Sequence, residues 1–148
     1  MGAYASCSPT LASRSPTGAS IGASRSSDAA SLRPLGLLTV AASSPREWEL
    51  PLVDENVAPL GDADLAWADV VLSGGMLVQL PSLLAIVARA RGAGRGVVGG
   101  GPVTSAAGAR LANAADVVVH GEIEGREARV IAAIEGTGRA VLRRASPP

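Results

Sequence analysis

Three short, largely apolar segments, each followed at once by a loop of small or polar residues, most constrain the fold of this chain. The segments are residues 70–72, 96–98 and 116–119, and they lead into Ser73-Gly74-Gly75, Gly99-Gly100-Gly101 and His120-Gly121-Glu122. Brief apolar runs that end at glycine are typical of buried parallel strands. The carboxyl ends of such strands meet at one edge of a sheet, where α/β proteins bind their ligands.

The glycine loops at this predicted edge have two interpretations. Glycine permits tight turns that other residues do not tolerate, and it also lets a ligand approach the backbone closely. A single loop favours the first interpretation. Four loops on one edge, counting the turn at 54–56, favour a ligand site.

Helical and strand patterns alternate along the rest of the chain. Helices are predicted over 35–42, from Asp62 as N-cap, from Pro81 to a stop at Gly92, from Thr104 or Ser105, and over 126–135. Alternating apolar residues predict a strand over 48–53, and Pro51 restricts it to a sheet edge. The order predicts an α/β fold with a Rossmann-like (flavodoxin-like), mostly parallel sheet flanked by helices.

Composition divides the chain into three parts. Residues 1–32 are rich in Ser and Ala without helical or strand periodicity, which predicts a disordered tail. A transit-type peptide, or a segment that is not a natural part of the domain, remains an alternative. Residues 33–136 form the predicted domain, and residues 137–148 a flexible tail.

Charge and cysteine content exclude several functional classes. The 13 basic residues, all Arg, balance the 13 acidic ones, so nothing indicates binding to nucleic acid or to a membrane surface. No apolar stretch approaches the roughly 20 residues of a membrane span, and we expect a cytoplasmic protein. Cys7 is the single cysteine, which excludes an internal disulfide and a multi-cysteine metal or iron–sulfur site within this chain.

Known catalytic and nucleotide-binding motifs match this sequence poorly. The glycines at 92, 94 and 96 follow a helix and precede a strand, the reverse of a dinucleotide fingerprint. Ser73 lacks the setting of a catalytic nucleophile, and His120 has no partners at metal-ligand spacing. Glu122 either contacts a ligand or complements the dipole of the last helix as a first-turn acid.

Five stretches share their order and spacing with a known family. They are Pro34-Leu35-Gly36-Leu37-Leu38-Thr39-Val40-Ala41-Ala42, Trp48-Glu49-Leu50-Pro51-Leu52-Val53-Asp54-Glu55-Asn56-Val57, Ala68-Asp69-Val70-Val71-Leu72-Ser73-Gly74-Gly75-Met76, Val98-Gly99-Gly100-Gly101-Pro102 with Thr104, and Gly121-Glu122-Ile123-Glu124. Together they resemble the N-terminal cobalamin (B12)-binding domain of B12-dependent radical SAM proteins, here without the radical SAM domain.

The resemblance implies a cobalamin held at the carboxyl edge of the sheet. It implies that the loop at 73–78 faces the corrin ring, that the turn at 99–101 lines the channel for the nucleotide tail, and that residues 121 and 122 close the far side. The implied cofactor-binding residues are Ser73, Gly74, Gly75, Met76, Val78, Gly99, Gly100, Gly101, Pro102, Gly121 and Glu122.

The chain departs from that family in three ways. Residues 1–31 show no hydrophobic first strand, so we expect the central strand of the sheet to be missing. The three clustered cysteines of the radical SAM domain are absent, and so is the Asp-x-His-x-x-Gly motif that supplies a cobalt ligand in methionine-synthase-like domains.

These departures predict a cobalamin-binding module without catalytic activity alone, working with a separate radical SAM or methyltransferase protein. The alternatives are a non-catalytic interaction domain, a non-functional fragment of the family, or a nucleotide-binding Rossmann-type module.

Overall fold

The computed structural model of the chain describes residues 9–13, 35–46, 48–54 and 59–137. Within these ranges the strands are β1 (Pro9–Ser13), β2 (Leu52–Asp54), β3 (Val70–Gly74), β4 (Gly96–Gly100) and β5 (Val117–Val118). The helices are α1 (Leu35–Ser43), α2 (Asp62–Trp67), α3 (Leu80–Gly92), α4 (Val103–Ala112) and α5 (Glu127–Gly136), and a short 3-10 helix, Leu77–Gln79, precedes α3.

The strands form one sheet in the order β2-β1-β3-β4-β5. Strands β3, β4 and β5 are parallel, in a register that places Gly74 beside Gly100. Strand β1 is antiparallel to both of its neighbours, so β2 runs in the same direction as β3. This arrangement confirms the predicted α/β class with a parallel sheet flanked by helices. The strand predicted over 48–53 is shorter, Leu52–Asp54, and begins after Pro51, but it does lie at the edge of the sheet as predicted.

Strand β1 corrects the expectation that no strand precedes α1. It occupies the position beside β3 that we expected to be empty, although its direction is opposite to that of a parallel first strand. The segment is only five residues long and begins with a proline, which a strand tolerates at its first position. A pattern this short carries almost no periodic signal. The other residues of the predicted tail, and residues 138–148, lie outside the described residues.

Two apolar cores lie on opposite faces of the sheet. Val71 and Val97 point to the face that α2, α3 and α4 cover, whereas Leu72 and Val98 point to the face that α1 and α5 cover. Successive side chains of a strand alternate between faces, so β2, β3, β4 and β5 each contribute to both cores. The carboxyl edge of β3, β4 and β5 lies between these two helical layers.

Three helix boundaries differ from the sequence prediction. Helix α4 begins at Val103 after Pro102, so neither Thr104 nor Ser105 caps it. Gly61, not Asp62, caps α2, and its amide donates to the Asp64 carboxylate at 2.9 Å. Helix α3 extends through Gly92, and the left-handed residue that follows its end is Gly94, with φ of 73°.

Candidate functional site

The glycine loops after β3 and β4 pack directly against each other. A Cβ on Gly74 would lie 3.2 Å from the Gly100 carbonyl oxygen, and one on Gly101 would lie 3.1 Å from the Gly75 amide nitrogen. Gly101 also has a φ of 82°, which favours glycine. The Val103 amide completes the contact by donating to the Gly75 carbonyl at 2.9 Å. Close backbone packing therefore accounts for Gly74 and Gly101 without any ligand.

Two of the predicted cofactor-binding residues lie inside the sheet rather than on its open edge. Ser73 is 1% exposed and pairs with Gly99 on β4. Gly99 is also buried, and a Cβ there would lie 2.6 Å from Cδ2 of the fully buried Leu111. Both residues are therefore part of the packed sheet beneath the edge and are not exposed to a ligand.

Gly100 differs from the glycines around it. The nearest atoms to a Cβ on Gly100 belong to Val119, at 4.0 Å, which is an ordinary van der Waals separation. Next to it, Pro102 is exposed and caps α4. These two residues belong to the accessible part of the predicted site.

Three consecutive apolar side chains project from the edge after β3. Met76 is 50% exposed, Leu77 52% and Val78 87%. They are fixed by Gln79, a buried residue whose Oε1 accepts from the Met76 amide at 2.7 Å and whose own amide donates to the Met76 carbonyl at 3.0 Å. We call residues 76–78 the apolar ledge. Its geometry is held by a buried polar anchor, so the exposure of these side chains belongs to a defined turn.

A cleft of about 600 Å³ lies beside the ledge. Leu77, Leu80, His120 and residues 104–110 of α4 line it. Helix α4 departs from helical geometry at Ala107, and Gly108 leaves room for the neighbouring imidazole, because a Cβ there would lie 2.5 Å from Cε1 of His120. None of the predicted cofactor-binding residues lines this cleft. Nothing in the sequence places His120 in a cleft, and a loop position without metal-ligand partners is the favoured interpretation; the glycine inside α4 is the one signal that could have pointed to its packing against this helix.

The third loop of the edge is stabilised by an arginine. The Arg126 guanidinium donates to the carbonyls of His120 and Glu122, with a distance of 2.6 Å from Nη2 to the Glu122 oxygen. Gly121 has a φ of 74° within this turn, and Glu122 is exposed. The first-turn acid of α5 is Glu127, so the interpretation of Glu122 as the acid that complements this helix is wrong.

The described residues contain no group of three or more His, Cys, Asp or Glu side chains that could hold a metal ion. Within the same part of the chain, no helix has the length and apolar character needed to cross a membrane.

Comparison with known proteins relates part of the chain to two methyl-transferring proteins. Over 94 residues, 63% of this chain, it is 40% identical to an uncharacterized methyltransferase of Synechocystis sp., of which it covers 18%. Over 78 residues, 53% of this chain, it is 42% identical to the hopanoid C-2 methylase of Rhodopseudomonas palustris, of which it covers 15%. The chain therefore spans less than a fifth of the length of either relative. No family model and no solved structure matches.

Proposed function

We propose that this chain is a cobalamin-binding module that holds a corrinoid at the carboxyl edge of its sheet. The observation that carries the proposal is the apolar ledge, three exposed apolar residues on an anchored turn beside an open glycine and a cleft. Contiguous exposed apolar surface on a protein is often a binding site. The partial similarity to two methyl-transferring proteins agrees with such a role.

The accessible residues fit the chemistry of a corrinoid. A corrin ring has broad apolar faces and a rim of amide groups, so it needs an apolar platform next to free backbone and polar groups. The ledge offers the platform, and the side-chain-free surface at Gly100 lets a bulky ligand approach the backbone. The cleft has a volume within the range of small-molecule sites, about 300–1,000 Å³, and a cofactor larger than the cleft would extend onto the ledge.

The ledge alone accounts for only part of the affinity such a module needs. Full burial of a Val, Leu or Met side chain contributes about 1.5–3 kcal/mol, and two of the three ledge residues are already half-buried. Their combined burial would contribute roughly 3 kcal/mol, which corresponds to about a hundredfold in affinity. Hydrogen bonds from the loops must supply the remainder.

The residues that would hold the cofactor are a subset of those predicted from sequence. Met76 and Val78 would contact the ring, Gly100 and Pro102 would border the tail, and Glu122 would accept hydrogen bonds at the far side. Ser73 and Gly99 would not contact the cofactor, but their packing inside the sheet would hold the loops in place. A bound cobalamin would supply a carrier for methyl transfer. A radical SAM or methyltransferase partner would supply the catalytic chemistry, because this chain, with Cys7 as its single cysteine, cannot hold an iron–sulfur cluster.

Gel filtration with hydroxocobalamin tests the proposal directly. We expect the protein to retain the cofactor at roughly tens of micromolar and to change its visible spectrum. Val78→Asp places a charge on the ledge and should weaken binding by about tenfold or more, because the carboxylate would lose hydration against an apolar ring. Ala88→Asp, on the exposed face of α3, is the matched control and should bind like the unmodified protein.

A second pair of variants tests whether the ligand approaches the backbone at Gly100. Gly100→Leu should fill the approach to the backbone and weaken binding, whereas Gly92→Leu, at the far end of α3, should not. Lack of retention by the unmodified protein would remove the cobalamin proposal. Equal affinity of both glycine variants would contradict the placement of the site.

A protein-interaction domain without a cofactor is the second candidate, because the same exposed ledge suits an apolar contact with another chain. Under that proposal Val78→Asp would abolish association with the partner, while hydroxocobalamin would pass through the column unbound.

A further inference from the structure

A second cleft lies at the end of the molecule opposite the glycine loops. It has a volume of about 440 Å³ and is lined by residues of α2, of the carboxyl end of α3, and by Arg95, the residue immediately before β4. Gly100 ends the same strand, so the length of β4 separates this cleft from the predicted cofactor edge. We call it the arginine cleft, because Arg89 and Arg95 supply its cationic groups.

Arg95 is incompletely paired. Its Nη2 donates to the Ala66 carbonyl at 3.1 Å, but its Nε is buried and has no hydrogen-bond partner among the described residues. A guanidinium carries five N–H donors in a fixed plane. Leaving one of them buried and unpaired is unfavourable, and buried donors in folded proteins are nearly always satisfied.

Arg89 is paired, but weakly held. Its Nη2 lies 2.6 Å from Oδ1 of Asp62 and 3.2 Å from the Leu60 carbonyl oxygen. The Asp62 side chain is 95% exposed and that of Arg89 42%. Ion pairs this open to solvent contribute little stability, so a carboxylate or phosphate oxygen from solution can replace Asp62 at small cost.

We infer that the arginine cleft binds a small oxyanion, a phosphate or carboxylate group, between the guanidinium groups of Arg89 and Arg95. With one carboxylate among its lining residues, the cleft has a net formal charge of +1. Planar guanidinium groups suit the paired oxygens of both anions, and a rotation of Arg95 toward the cleft gives its unpaired Nε–H an acceptor. The inference does not depend on cobalamin binding, which concerns the other edge.

Titration of the whole chain with inorganic phosphate, and separately with acetate, tests this site at constant ionic strength set with chloride. The Arg95 Nε–H signal in a nitrogen–proton NMR spectrum is the readout, because a ligand oxygen would accept from that group. We expect a saturable shift with a dissociation constant of roughly 1–10 mM for at least one anion. Saturation by phosphate alone identifies a phosphate site, and saturation by acetate alone identifies a carboxylate site.

Three variants make the result specific. Arg95→Lys loses the planar fork and should weaken binding about tenfold or more, followed for this variant through the amide signals of Ala66 and Ala93. Arg91→Lys is the matched control, since Arg91 pairs with Asp116 at 3.8 Å and does not line the cleft. Asp62→Asn should tighten binding, because it removes the competing carboxylate from an exposed position where folding is not at risk.

The inference would be overturned if neither anion gave a saturable shift by about 50 mM. It would also be overturned if Arg91→Lys weakened binding as much as Arg95→Lys, which would indicate general charge screening. Weaker binding by Asp62→Asn would contradict the competition between Asp62 and the ligand. A negative result for the oxyanion site would not affect the cobalamin proposal, and a negative result for cobalamin binding would not affect the oxyanion site.

Discussion

Gly99 offers the sharpest test of whether the glycines of this edge serve packing or a ligand. A Cβ on Gly99 would lie 2.6 Å from Cδ2 of Leu111, which is too short for a real carbon contact, and 3.0 Å from its Cγ, which is tighter than nearly all such contacts. Leu111, a residue of α4, is fully buried in the core between the sheet and helices α3 and α4, so its side chain cannot swing into solvent. The variant Gly99→Ala must therefore displace either this leucine or the strand.

The expected cost follows from overpacking in a closed core. Insertion of a carbon into a well-packed site costs about 1–3 kcal/mol, and alanine recovers about 0.5–1 kcal/mol through its lower chain entropy in the unfolded state. Gly99→Ala should thus lower the free energy of unfolding by about 1–2 kcal/mol. Leu111→Ala alone should cost about 2–5 kcal/mol through its cavity. In the double variant the new methyl enters that cavity, so the combined loss should be smaller than the sum by at least about 1 kcal/mol.

Urea unfolding followed by the fluorescence of Trp48 and Trp67 measures these changes, because both indoles pack against the cores and become solvated on unfolding. With a slope of about 2 kcal/mol per molar, Gly99→Ala should lower the midpoint by about 0.5–1 M. Gly100→Ala is the control and should not lower it, since its Cβ has 4.0 Å of clearance. Full stability of Gly99→Ala, or strict additivity in the double variant, would refute the packing explanation.

Two further predictions concern side chains that hold backbone groups. Asp116→Ala should lower the free energy of unfolding by about 1–3 kcal/mol in chemical denaturation, because it removes the carboxylate that accepts from the Val97 amide at 2.8 Å; Asp116→Asn, which keeps an acceptor, should lose less. The pKa of the Glu127 carboxyl lies below its ordinary value because its own amide and that of Gly125 donate to it. The ionised form is therefore favoured in the folded state, and its stabilisation is present above the ordinary pKa of 4.5 and is lost as pH falls through the lower folded value. Glu127→Gln should lose that part of the acid dependence in thermal melts recorded between about pH 2 and 6, and an unchanged profile would contradict the assignment.

The regular part of the fold could be predicted because its signals are periodic. Leu83, Ile86, Val87 and Ala90 recur at helical spacing and are buried in α3, while the apolar run at 70–72 has only the interior of a sheet in which to bury both faces. Strand β1 could not be predicted in this way. It owes its place to pairing with β2 and β3, which is a property of the assembled sheet and not of its own five residues.

The shared edge of the glycine loops could be predicted, but the role of each glycine could not. The three glycine loops do share one edge. Within one loop, however, Gly99 packs against a buried leucine, Gly100 borders open space, and Gly101 adopts a left-handed backbone conformation. Only tertiary contacts separate these roles. The same holds for Gln79, whose polarity gave no hint that it is buried as the anchor of the apolar ledge.

The reversal of β1 changes which loops can serve the carboxyl edge. In a flavodoxin-like sheet the ligand lies at the switch point beside the central strand, where the loop after a parallel first strand contributes to the site. Here Thr10, near the amino end of β1, pairs with Ser73, and the carboxyl end of β1 at Ser13 pairs with Val70, at the opposite edge of the sheet. The loops after β3, β4 and β5 remain at the carboxyl edge. Among the described residues, the apolar ledge and the approach at Gly100 are the surfaces that a ligand bound there would contact, which is why substitutions at Val78 and Gly100, rather than near β1, test this site.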